Sequence, residues 1–194
     1  MEHWRFYLHG RVLELFGLEP RAIAAYGAAT RAKPDFLRPT NRIAYLLASQ
    51  ERYSEAEPYF RAVLRADPGN AVAHFNLGYT FDKRGEYDNA VREFRETTRL
   101  NPKIDRAWYG LGLALAQLGR HREAADALEQ AAKLQPMNHH AWYQLGMALH
   151  TTGNIERFEE VVMHLLRFDP KMTRRLILDT GRSDLAHLVQ HLVV

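Results

Sequence analysis

Pro34, Pro68, Pro102, Pro136 and Pro170 stand 34 residues apart along the chain. Glycines keep the same interval. Gly78, Gly112 and Gly146 fill one place of the period, and Gly85, Gly119 and Gly153 fill another. Further back, Gly10 and Ala44 take the first place, and Gly17 and Glu51 take the second. An interval of this length, kept without insertion, means that one supersecondary unit has been copied. A unit that short cannot bury its apolar face alone, so neighbouring copies must cover one another. The period divides the chain into five blocks, 3–36, 37–70, 71–104, 105–138 and 139–172, followed by a tail, 173–194.

Within a block, apolar residues recur at helical spacing. In the fourth, Trp108, Leu111, Leu115 and Leu118 share one face of a first helix, and Leu128, Ala131, Ala132 and Leu134 line a second. Gly119 suits the left-handed position that ends a helix, and Pro136 stops the second helix. Gly78 and Gly112 fall inside helices, where glycine costs about 1 kcal/mol against alanine. They are expected to let two helices approach closely, facing Ala90 and Ala124. The fold class is therefore all-α, built from antiparallel helix hairpins.

The period and its residues resemble the tetratricopeptide repeat, in which a tryptophan, Leu-Gly, small residues, an aromatic and a late proline recur. The fourth block carries Trp108, Leu111, Gly112, Leu115, Ala124, Leu128, Ala131 and Pro136. The third carries Leu77, Gly78, Phe81, Ala90, Phe94 and Pro102. The resemblance spans 3–172. It implies a right-handed α-solenoid, the tetratricopeptide superhelix, with the tail supplying C-terminal capping helices.

Several places depart from that pattern. His9 stands where leucine is expected, Thr40 and His74 take the tryptophan place, and Phe158 replaces a small residue opposite Gly146. The second helix of the fifth block should be displaced to fit Phe158. Ser54 and Glu57 read as a capping box that opens the second helix of block two. In the tail, Leu176 and Ile177 suggest a short helix after Pro170. Ser183 and Asp184 suggest the cap of another helix carrying Leu185, Leu188, Val189 and Leu192.

Composition narrows the function. Apolar residues make up 46% and charged residues 25%, which fits a folded chain rather than a disordered one. With no cysteine, disulfides and thiolate chemistry are excluded. Neither a secretory leader nor a membrane-spanning run is legible, so a cytoplasmic location without membrane insertion is expected. The net charge of +3 is thin and its signs are interleaved, which argues against nucleic acid, as a nucleic-acid binder concentrates its basic residues. His187 and His191 could share a helix face, but no third ligand follows at metal spacing. No nucleophile motif occurs. No catalytic residue, metal or cofactor is expected.

What remains is binding. In the family that the chain resembles, the first helix of each block lines a concave groove. The resemblance places Arg38 and Arg106 at the second position of their blocks. It places Tyr7, Asn41, Phe75, Tyr109 and Tyr143 at the fifth, Asn76 at the sixth, and Arg11, Tyr45, Tyr79 and Met147 at the ninth. Tyrosine and arginine bring large contact area with a polar handle. The expected function is a non-catalytic adaptor or scaffold that binds a peptide or helical segment of a protein partner there, an acidic one suiting the arginines. The family's clamp for chaperone tails is poorly matched, since only Asn76 and Arg106 fit its frame. The alternative readings are a self-assembling module, a homo-oligomer joined through the terminal tail, and, less favoured, an RNA-binding helical repeat.

Overall fold

A computed structural model describes residues 1–190. Contacts divide the chain into two compact units, Met1–Leu100 and Asn101 onward. No strand occurs among the described residues.

Unit 1 holds six helices: α1 (Glu2–Leu15), α2 (Glu19–Ala32), α3 (Leu37–Ser49), α4 (Tyr53–Ala66), α5 (Ala71–Lys83) and α6 (Tyr87–Leu100). Each packs on the next. Unit 2 holds α7 (Asp105–Gln117), α8 (His121–Leu134), α9 (His139–Thr151), α10 (Ile155–Phe168) and α11 (Pro170–Asp179), then a 3₁₀ turn, Ser183–Leu188. Here too successive helices pack, and α11 also touches α9.

The turn glycines act as the period predicts. Gly85, Gly119 and Gly153 have φ of 74°, 72° and 73°, where an L side chain is strained. Glu51 adopts the same conformation, at φ 61°, without glycine's freedom.

The helical glycines meet larger partners than expected. A Cβ on Gly112 would lie 2.5 Å from Leu128 Cγ, and one on Gly78 would lie 2.9 Å from Phe94 Cδ1. So the glycine admits a large side chain of the second helix, and at Gly112 the Ala124 carbonyl oxygen approaches as well, at 3.3 Å. Gly10 admits Tyr26 in the same way, at 2.6 Å. Gly146 differs. Its neighbour is Leu176 of α11, at 2.6 Å, rather than a side chain of α10. The tail helix thus supplies the knob that the second helix supplies elsewhere, while Phe158 is fully buried.

Ring nitrogens bind the first helices to the turns before them. Trp108 Nε1 donates to the Pro102 carbonyl and Trp142 Nε1 to the Pro136 carbonyl, both at 2.9 Å. His74 repeats the bond from Nε2 to the Pro68 carbonyl at 3.1 Å, with Nδ1 2.7 Å from Glu93. Asn70, Asn138, Asn154 and Asp169 cap their helices through side-chain oxygens, each contributing about 1 kcal/mol.

Two local readings need correction. α4 starts at Tyr53 with Arg52 as its cap residue, and Glu57 pairs with Arg61 and Arg84 instead of closing a capping box. Ion pairing outside the helix end won over the reciprocal cap. The segment at Ser183 is a 3₁₀ turn, not an α-helix, and Asp184 pairs with Arg182, two residues before it. Leu192 and the rest of 191–194 lie outside the described residues.

Candidate functional site

The first helices α1, α3 and α5 place seven of the expected groove residues and Asn76 in unit 1, and the structure sorts them. Tyr7 is buried. Its ring packs on Tyr26 and Trp4, each at 5.7 Å, and on Phe36 at 5.3 Å. It therefore supports the face rather than offering itself to a partner. Arg11 and Arg38 are exposed, and Arg38 sits 5.6 Å from the Trp4 ring centre. Asn41, Phe75 and Asn76 are half-buried, with Phe75 5.9 Å from Phe94. The Oδ1 of Asn41 is enclosed without a hydrogen-bond partner among the described residues.

Tyr45 and Tyr79 stand out, at 50% and 40% exposure. Each carries a cation over its ring. Arg42 lies 5.2 Å from the centre of Tyr45, and Lys83 5.2 Å from that of Tyr79. Tyr53 meets Tyr79 edge-on at 6.3 Å. Arg42 is itself held by Glu14, and Glu14 also accepts from the Tyr26 hydroxyl at 2.6 Å. Burial pushes the Tyr26 phenol up to about 12, so that hydroxyl stays a donor. The network joins α1, α2 and α3 beneath Tyr45 and fixes the cation over it. Nearby, burial raises the Asp82 carboxyl, an effect Lys83 partly offsets.

Unit 2 uses the same places differently. Tyr109 packs against a core of Ala131, Ala132 and Ala141, and burial raises its phenol. Tyr143 donates to Asp179 of α11 at 2.5 Å, with Arg175 5.5 Å from its ring centre. Burial first, and that bond second, raise its phenol. Met147 is half-buried, and Arg106 is exposed on the first turn of α7. Sequence reasoning did not pair Arg42 and Lys83 with the tyrosine rings beneath them. Their spacing from Tyr45 and Tyr79 along a helix was the available signal.

Among the described residues, no cluster of three side chains could hold a metal, and no helix is long and apolar enough to cross a membrane. His187 Nδ1 lies 2.9 Å from the Asp184 carbonyl, and His191 lies outside the described residues.

A family model, the tetratricopeptide repeat, matches residues 20–71, 75–128 and 115–172. The chain belongs to the tetratricopeptide repeat family. Among solved structures it is similar to MamA, at 20% identity and TM-score 0.78, covering 95% of this chain and 96% of that one. It is similar to YrrB, described as a tetratricopeptide repeat protein with an unusual peptide-binding site, at 21% identity and TM-score 0.78, covering 91% and 90%. A tetratricopeptide repeat protein from Parabacteroides merdae matches at 17% identity and TM-score 0.80, covering 99% of this chain and 78% of that one. No curated protein matches.

Proposed function

We propose that the chain is a non-catalytic adaptor that holds a peptide or helical segment of a partner protein against the first-helix face of unit 1. The observation that carries this reading is the pair Tyr45 and Tyr79, exposed at the same repeat place and each topped by a cation. An exposed tyrosine beneath a guanidinium or ammonium offers a flat apolar surface, a hydroxyl and a positive charge together. That combination suits a segment with both apolar and acidic side chains. Arg38 on α3 and Arg11 on α1 are exposed and add positive charge to the first helices of unit 1. The family membership supports a scaffold role, and the peptide-binding site named for YrrB supports the peptide as ligand class.

Assembly through the tail has less support, because Leu176 and Ile177 are buried within unit 2. The test is affinity capture of partners from native lysate with the intact chain and with a Tyr45→Ala/Tyr79→Ala variant. The expected result is a partner retained by the first and lost by the second, at equal thermal stability. Equal capture by both would end this reading.

A further inference from the structure

The outer side of α1 differs from that of every later first helix within its own unit. In α5, Ala73, Leu77 and Thr80 form a buried strip, and α5 packs on the second helix before it, α4. The same places are buried in α3, which packs on α2, and in α9, which packs on α8. On α1 those places are Arg5, His9 and Val12, and all three are exposed. Around them stand Leu8, Leu15 and Phe16, at 57%, 83% and 72% exposure. Contiguous apolar residues of this size on one helix face mark an interaction surface.

The register says what shape fits. Wherever the strip is covered within a unit, a helix covers it. At α9 the cover is Ala131 and Ala132 of α8 lying on Ala141. On α1, Ala141's place is taken by Arg5, which makes no ion pair among the described residues. A helix with a purely small-residue face would bury that guanidinium unpaired, which is costly. A helix with a carboxylate inside its apolar stripe would pair it. The strip itself holds no carboxylate beyond Glu2 in the first turn. A second copy set antiparallel could neutralise Arg5 only by overlapping the first turns, which leaves Leu15 and Phe16 uncovered.

We propose that the outer face of α1 docks an amphipathic helix of another protein, one carrying an acidic residue in the middle of its apolar stripe. This surface is separate from the tyrosine face, and the two readings stand or fall independently.

The test uses the full chain and a labelled model peptide, helical, with leucine and alanine at i, i+3, i+4 and i+7 and one central glutamate. Fluorescence anisotropy should show binding that falls about tenfold when the glutamate becomes lysine, and about as much for Arg5→Glu with the original peptide. Arg5→Glu with the lysine peptide should recover the loss, which a general loss of fold cannot do. Leu8→Asp should abolish binding with an unchanged helical spectrum, and Tyr45→Ala/Tyr79→Ala should leave it intact. Failure of the charge swap to recover affinity overturns the proposal, as does loss of binding in the tyrosine variant. Concentration-dependent sedimentation dispersed by Leu8→Asp would assign the face to a second copy and overturn it as well.

Discussion

The ninth repeat place holds Arg11, Tyr45 and Tyr79 in unit 1, and Leu113 and Met147 in unit 2. The tyrosines are exposed under cations, whereas the leucine and methionine are half-buried. At the fifth place tyrosines serve packing in both units, and in unit 1 Tyr7 is buried among aromatic rings. Unit 2 has Tyr109 in its alanine core and Tyr143 bonded to the tail helix, so its phenols serve packing. One repeat place thus leaves tyrosines exposed in unit 1, while another spends the same kind of side chain on cohesion. The residue at a place does not settle its role; what the neighbouring helix brings to it does.

Steric substitutions should break the cohesion side of this contrast most strongly. Gly112→Leu in unit 2 meets Leu128 at 2.5 Å and the Ala124 carbonyl oxygen, which cannot rotate away. It should destabilise by about 3 kcal/mol in denaturant unfolding. Gly78→Leu in unit 1 meets only side-chain atoms within its three nearest contacts, at 2.9 Å and beyond, and should cost less. Tyr109→Ala comes next, at about 2 kcal/mol of stability, since it empties the edge of an alanine core. A variant with native stability would place Tyr109 with the binding residues instead.

Much of the fold was legible because it repeats. The prolines and turn glycines located the α3 to α10 hairpins, and the left-handed φ values at Gly85, Gly119 and Gly153 follow from the glycine interval. The site was legible only as a set of places. The resemblance put Tyr7, Tyr79 and Tyr143 alike in the groove, yet burial separates them, because Phe36 covers Tyr7 and α11 reaches Tyr143. Gly146 shows the same limit. Its partner Leu176 belongs to the tail, and no periodic rule could assign it. Gly112 meets Ala124, as the pattern implies, through its carbonyl oxygen, and the longer Leu128 side chain also reaches into the space that the missing Cβ leaves.

On the binding side, Tyr79→Ala should weaken partner affinity by about 1–2 kcal/mol, read by titration, without moving the unfolding midpoint. Tyr143→Phe should leave affinity untouched. It removes the bond to Asp179 and should cost about 1 kcal/mol. The loss should show as faster amide exchange in α11 alone, the helix that this hydroxyl anchors to α9. Uniform acceleration across unit 2 would mean that the tail and the hairpins unfold together.

The smallest effect concerns the turns. Unit 2 closes both its hairpins on glycine, Gly119 and Gly153, whereas unit 1 closes its second on Glu51 at φ 61°. A non-glycine residue held there is strained by about 1–2 kcal/mol, while glycine adds unfolded-chain entropy of about 0.5–1 kcal/mol. The difference favours the native state of Glu51→Gly by about 0.5 kcal/mol. Glu51 forms no ion pair among the described residues that the change would remove. Gly119→Glu, the reciprocal change in unit 2, should lose stability by a similar amount, because the backbone at Gly119 has φ 72° and open space beside its Cα. If Glu51→Gly is instead destabilising, the α3–α4 turn owes its shape to the glutamate side chain, and the two units differ at their turns as well as on their faces.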